Sequence, residues 1–189
     1  MSARDLLRKY YPEGSRVSEI LIAHSHAVAE KALEIAAGLS SLNPDLVFIE
    51  EAAMLHDIGI LHVHAPHIGC FGSREYICHG ILGREMLEQE GLMRHALVCE
   101  RHVGVGITAA DVRLHGLPLP ERDMVPLSLE ERIVCFADKF YSKSQGGFPG
   151  EKSLERVREE IRRFGAEKLR EFDRMAALFA VVEQDPRHG

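Results

Sequence analysis

The chain has 189 residues, 46% of them hydrophobic and 28% charged, with a formal net charge of −6 and a pI near 6.0. That length supports one sizeable core and gives no sign of a second, and the acidic balance argues against a general nucleic-acid binder, because phosphate backbones reward a basic surface. With no long apolar run and no basic-then-apolar N-terminus, neither a membrane span nor a signal peptide is expected, and the cytoplasm is the expected location.

Helical periodicity dominates, and strand-like alternation is nearly absent, so an all-α fold is expected. A long first helix should open near Ser15 and stop at Gly38, its buried stripe marked by Val17, Ile20, Leu21, Val28, Ala32 and Ile35. His24 falls on that stripe, whereas His26 lies about 200° around the helix and faces roughly the other way. A second helix is expected from Asn43 as N-cap and Pro44 as first helical residue, where no amide donor is needed. Leu46, Ile49 and Ala53 then lead to His56-Asp57, and Gly59 allows the chain to turn out of the helix.

The adjacent imidazole and carboxylate of His56 and Asp57 thus sit where an apolar helix runs out, and the negative end of its dipole favours a cation. The stretch Leu61–Gly69, with its Gly, Pro and further histidines, reads as a loop beside that point. A helix from about Tyr76 to Gln89 carries His79 in its first turn, and a shorter one from Leu92 to about Arg101 ends at His102. Thr108 should cap one or two turns reaching Leu114. Pro118, Pro120 and Pro126 mark an extended connector. The Ser128-Leu129-Glu130-Glu131 stretch has the form of a capping box, opening a helix whose face with Ile133, Val134 and Ala137 carries Asp138 inward.

From Glu151 onward two charged amphipathic helices follow, with stripes Leu154, Val157, Ile161 and Leu169, Phe172, Met175, Phe179. They carry no recognisable chemistry and are expected to cover the core or form a partner surface. Gly146 to Gly150 is the only linker-like segment and reads as a loop. The expected organisation is therefore one domain over 1–189, with a core of about 15–145 and C-terminal helices over about 151–184 packed on it.

Four cysteines (Cys70, Cys78, Cys99, Cys135) form no Cys-x-x-Cys pair, so reduced, mostly buried thiols are expected rather than a zinc knuckle or a disulfide framework. Eleven histidines are the compositional anomaly. Of these, His24, His56, His79 and His102, together with Asp57 and Asp138, fall in segments that otherwise read as buried helix. Imidazole and carboxylate donors suit first-row divalent ions, and the lack of cysteine among them disfavours a purely structural zinc. An ion with open coordination positions makes hydroxide available near neutral pH and stabilises phosphoryl charge, so hydrolysis is the chemistry this set suggests.

The order His24, His56-Asp57, His79, His102, Asp138 resembles the HD-domain superfamily of metal-dependent phosphohydrolases. The local matches are His24-Ser25-x-x-Val28-Ala29, Leu55-His56-Asp57-Ile58-Gly59, His79-Gly80-x-x-Gly83 and Ala137-Asp138-Lys139, spanning about Ser18 to Ser142. The resemblance implies an all-α HD-domain bundle with a metal site in its core. In it, His24, His56, Asp57 and Asp138 bind one divalent ion, and Asp57 bridges to a second held by His79 and His102, with His95 or Glu100 as competitors for a place. Fe, Mn, Zn, Co, Ni and Mg are not distinguished. Asp57, His79 and His102 are then the catalytic candidates.

Arg101 to Thr108, followed by Gly116-Leu117-Pro118, looks like a group of prokaryotic HDIG-type proteins, and the ligand order is also similar to that of hydrolases that split diadenosine tetraphosphate. The chain lacks the Gly-Tyr-Pro signature and paired histidines of cyclic-di-GMP phosphodiesterases. The lysine that often follows the HDIG tetrad is replaced by Ile60.

For substrate contact the candidates are His64 and His67, with His62 beside them, since imidazole titrates near working pH, and also Arg101 and Lys139. His26 and His115 read as surface residues, and Glu50-Glu51 as a solvated helix face. The expected function is a metal-dependent phosphohydrolase acting on a small phosphorylated metabolite or nucleotide, with no nucleic-acid polymer or membrane as partner and with oligomers allowed. Two alternatives stay open: an HD-type di-iron oxygenase, since the same ligand set serves oxygen activation, and a non-catalytic nucleotide or metal sensor.

Overall fold

The computed structural model describes residues 2–143 and 150–183; the linker-like residues 146–149 lie outside that range. Among the described residues the fold is all-α: α1 (Ala3–Tyr10), α2 (Arg16–Gly38), α3 (Leu46–Leu55), α4 (His79–Gln89), α5 (Met93–Arg101), α6 (Ala109–His115), α7 (Leu129–Asp138), α8 (Leu154–Arg162) and α9 (Ala166–Glu183). One two-stranded antiparallel hairpin, β1 (His64–Ala65) with β2 (Cys70–Phe71), interrupts the stretch expected to be a loop.

Local chemistry accounts for most helix starts. Ser15 caps α2, its side chain accepting from the amide of Ser18. At α6, Thr108 and Asp111 form a reciprocal capping box. At α7, Ser128 accepts from the amide of Glu131, but the Glu131 carboxylate reaches one residue further back, to the amide of Leu127 (2.7 Å). The cap of α3 corrects the sequence expectation: Asp45, not Asn43, accepts from the amide of Phe48, and Asn43 adopts left-handed backbone (φ 51°) after a short 3-10 turn.

The main hydrophobic cluster runs from Leu6 and Leu7 of α1 through Leu21, Val28 and Ala32 of α2, Ile49 and Ala53 of α3 and Ile133 of α7 to Phe172 and Phe179 of α9. Phe136 of α7 stacks on Phe172 (4.9 Å between centroids) and meets Phe179 edge-on (5.0 Å), which holds α9 to the core. A second, smaller cluster of Cys78, Ile81, Ile107, Val112 and Met124 packs under the connector after α6. All four cysteines are free and buried.

Two close approaches fix where the helix ends meet. Gly59 sits in the 3-10 turn after Asp57, and a Cβ there would lie 2.0 Å from the carbonyl oxygen of His79 and 2.3 Å from the amide of Gly83. The residue read from sequence as a turn-former is therefore required by backbone contact with α4. At Gly80 a Cβ would meet the carbonyl oxygen of Cys99 at 2.7 Å, so α4 and α5 touch backbone to backbone next to His79 and His102. Tyr11, just after α1, completes the frame. Its buried hydroxyl donates to the carbonyl of Ile58 (2.6 Å) and accepts from the amide of Leu61 (2.9 Å), clamping the turn that follows Asp57.

Candidate metal centre

Five helix segments deliver donors to one buried point: His24 from the middle of α2, His56 and Asp57 from the end of α3, His79 from the start of α4, His102 from the end of α5, and Asp138 from the last position of α7. His24, His56, Asp57, His79 and His102 are each at most 4% exposed. They fall into two sets, His24-His56-Asp57-Asp138 and Asp57-His79-His102, with the donor atoms of each set within 4.8 Å of one another.

Asp57 belongs to both sets, and its two oxygens face different ways. Oδ2 lies 3.2 Å from His24 Nε2 and 3.0 Å from His56 Nε2, while Oδ1 lies 3.4 Å from His79 Nε2 and 3.5 Å from His102 Nε2. Asp138 Oδ1 closes the first set, 3.0 Å from His24 Nε2 and 3.4 Å from His56 Nε2.

The backbone dictates the orientation of three imidazoles. His56 Nδ1 donates to the carbonyl of Ala53 (2.6 Å), His79 Nδ1 to that of Tyr76 (2.6 Å) and His102 Nδ1 to that of Cys99 (2.8 Å). A carbonyl only accepts, so each Nδ1 must carry a proton, and each Nε2 is aimed into the site. Burial, opposed by the Asp57 carboxylate, lowers the His79 pKa to about 3, and burial also lowers that of His102. Both rings are therefore neutral near pH 7, and their Nε2 lone pairs face each other 3.1 Å apart. Two lone pairs at that distance repel unless a cation lies between them.

His56 differs because it faces two carboxylates. Burial opposes a charge on it, but Asp57 and Asp138 outweigh burial and push its pKa up to about 9. Burial also disfavours ionised Asp57 and Asp138, yet their carboxyls are held well below the usual range, Asp57 chiefly by His56 and Lys143 and Asp138 chiefly by Lys139.

Lys143 Nζ lies 2.6 Å from Asp57 Oδ2, and Lys139 Nζ donates to Asp138 Oδ2 (2.6 Å) and to the carbonyl of His102 (3.0 Å). The two lysines thus offset the two carboxylates, and what the protein leaves unmet is lone pairs. Neither Asp57 oxygen receives a hydrogen bond of acceptable angle, the close Lys143 notwithstanding, and His24 Nδ1 is likewise without a partner. Buried polar atoms are seldom left so. An all-nitrogen-and-oxygen donor set with two unsatisfied buried carboxylate oxygens on Asp57 fits one or more divalent metal ions.

The donors open onto a cavity of about 490 Å³ whose lining includes His79, His102, Asp138, Lys139 and Lys143. Of the residues expected to contact substrate, only Lys139 lines it. His64 on β1 and His67 in the following 3-10 turn are exposed and outside the lining, with the His67 carbonyl accepting from Arg16. Arg101 donates to both carboxylate oxygens of Glu131 at 2.9 Å. Glu100, a competing ligand by sequence, is engaged by Arg84 and Arg122, and His95 pairs with Glu51. Neither belongs to the donor sets.

Sequence reasoning missed Lys143, which lies beyond α7 in a segment without periodicity, and Tyr76, whose ring covers that of His79 at 4.8 Å. His115, read as a surface residue, is exposed and also lines the cavity. So do Arg163, Phe164 and Lys168 of the C-terminal helices, to which no chemistry had been assigned.

The sequence matches the HD domain family over residues 21–142, so all six converging donors fall within the match. The chain belongs to the HD-domain family. An uncharacterised protein of Methanocaldococcus jannaschii is 36% identical over 124 residues, 64% of this chain and 66% of that one. Two tRNA (cytidine(56)-2'-O)-methyltransferases are also similar: that of Thermoplasma volcanium is 33% identical over 188 residues (96% of this chain, 47% of the relative), and that of Picrophilus torridus 30% over 146 residues (72% and 38%). The chain thus spans less than half of either methyltransferase and about two thirds of the M. jannaschii protein. No solved structure matches it, and no helix of the described residues is long and apolar enough to cross a membrane.

Proposed function

We propose that this HD-domain protein is a metal-dependent phosphohydrolase acting on a small phosphorylated metabolite or nucleotide. One observation carries the reading: two buried donor sets sharing Asp57 open onto a single cavity that is also lined by lysines. His24, His56, Asp57 and Asp138 would hold one divalent ion, and Asp57, His79 and His102 a second. Ions so bound supply hydroxide near neutral pH and offset charge gathering on a phosphoryl group.

The chain's own groups do the rest. The backbone carbonyls of Ala53, Tyr76 and Cys99 hold three imidazole rings in orientation, which removes rotational freedom from the site. Lys139 and Lys143 set positive charge where phosphate oxygens would lie. Hydrolysis adds the elements of water across the ester: a new P–O bond forms, the bridging P–O bond breaks, and the alcohol leaves with a proton.

The two relatives named for tRNA modification support a second reading of the substrate, a phosphate carried at the end of an RNA. A cavity of about 490 Å³ accommodates a terminal nucleotide and not a duplex.

Elemental analysis of the purified protein, joined to a panel of phosphate esters, nucleotides and a 3′-phosphorylated oligonucleotide, tests the proposal. The expected result is one or two ions per chain and phosphate or nucleotide release that chelators abolish and Asp57→Asn removes. Oxygen uptake with a di-iron resonance signal and no phosphate release would instead establish the oxygenase alternative, and saturable nucleotide binding without turnover the sensor.

A further inference from the structure

The cavity is lined in part by residues beyond the part of the chain that matches the HD domain, which ends at residue 142. Arg163, Phe164 and Lys168, from the α8–α9 turn and the first turns of α9, line the cavity together with the metal-facing residues. Phe164 is 72% exposed, so its ring is free to meet a ligand in the cavity it lines. The same cavity is lined by Ile77, Val103, Ile107 and Leu117, side chains of the second hydrophobic cluster or packed against it.

The turn is held in place. Lys168 Nζ donates to the carbonyl of Gly106 (2.8 Å) and to Asp111 Oδ2 (2.5 Å), and Asp111 is itself fixed by the capping box with Thr108. Gly165, at φ 114°, reverses the chain immediately after Phe164. Arg163 lines the cavity, and no acidic side chain among the described residues pairs with it, so its charge is available to an anionic ligand. A lining that combines a phenyl ring, aliphatic side chains and cationic side chains suits a flat, apolar ring attached to a phosphate, and suits a bare sugar phosphate poorly.

Resting on the phosphohydrolase reading, we infer that the α8–α9 turn is the specificity wall of the site. Phe164 stacks on a planar ring in the non-phosphate half of the ligand, and Lys168 is a positioning residue that holds the turn against α6.

The test compares two probes whose P–C bond resists hydrolysis, the methylenephosphonate analogues of adenosine 5′-monophosphate and of ribose 5-phosphate, titrated calorimetrically into the metal-loaded protein. Stacking of one base on an aromatic ring corresponds to about tenfold or more in affinity. The adenosine analogue should therefore bind about tenfold tighter than the ribose analogue. Phe164→Ala should bring the two within about twofold by weakening only the first, and Phe164→Tyr should restore the gap. Because Phe164 is exposed, the alanine variant should keep the parent's melting temperature. Equal binding of the two probes, binding of neither, or a gap that survives Phe164→Ala would overturn the inference. Should ester hydrolysis proceed with no such gap, the specificity wall fails alone. A Phe164-dependent gap in a protein that hydrolyses nothing would sink the phosphohydrolase reading and leave the wall standing.

Discussion

Lys143 Nζ lies 2.6 Å from Oδ2 of Asp57, on the same oxygen that faces His24 and His56. An ammonium group there occupies space that a divalent cation would also use, and it competes for the same lone pairs. Lys143→Ala should therefore tighten divalent-ion binding by about tenfold, about 1.4 kcal/mol, as read by competition with a chromogenic chelator. Turnover of phosphate esters should fall in the same variant, because a positive charge on the cavity wall is gone. Weaker ion binding in Lys143→Ala would mean that the lysine supports the donor set rather than competing with the ion.

The approach of Gly59 to the carbonyl oxygen of His79 leaves no space for a methyl group. The obstructing atoms belong to backbone and cannot rotate away. Gly59→Ala should force α4 off the turn after Asp57, costing about 3 kcal/mol and separating His79 from the other donors. Urea denaturation would report the first effect, and a drop in bound ions per chain the second.

Glu100 is 3% exposed and takes Arg84 at 2.6 Å and Arg122 at 2.5 Å on its two oxygens. The arginines are 28% and 49% exposed and can turn to water if the carboxylate is lost, whereas the carboxylate has no such escape. The double variant Arg84→Met/Arg122→Met should accordingly cost about 3–5 kcal/mol, and Glu100→Gln only about 1–2 kcal/mol. Equilibrium unfolding of both variants checks the order.

Asp111 ties two elements together, capping α6 and pairing with Lys168 of α9. Burial alone would raise its pKa, but Lys168 and Thr108 outweigh burial and hold it below the usual aspartate range. A depressed folded pKa means that the ionised carboxylate stabilises the fold at all pH values above the unfolded value. That stability is lost as the pH falls through the folded value. Asp111→Asn should thus be about 1 kcal/mol less stable than the parent near pH 7, and the gap should close below about pH 4. Thermal melts across that range would expose a pH-independent gap if the pairing contributed nothing.

Much of the centre was legible because all its donors but His24 lie at helix ends marked by local chemistry, and His24 lies on a helix's buried stripe. His24 was distinguished from His26 by a single rotation about α2, and the structure agrees, with His24 buried and His26 accepting a hydrogen bond from Arg4 at the surface. The caps at Ser15 and Thr108 were equally local. The cap of α3 was not, because Asn43 and Asp45 flank Pro44 and both carry a suitable acceptor. Which one closes the helix depends on how the preceding 3-10 turn leaves α2.

The sequence by itself determined a predominantly helical chain, the family it belongs to and the six residues that converge in the core, five near helix ends and His24 on a buried helix stripe, because periodicity, caps and adjacent residue pairs act within a few residues of each other. Only the tertiary structure decided that Asp57 faces both donor sets, that Gly59 and Gly80 bring three backbones into contact, that Lys143 reaches Asp57, and that Phe164 and Lys168 wall a cavity built mostly from residues far earlier in the chain. Contacts between such distant positions are set by how helices pack in space, and no periodicity along the chain encodes that packing.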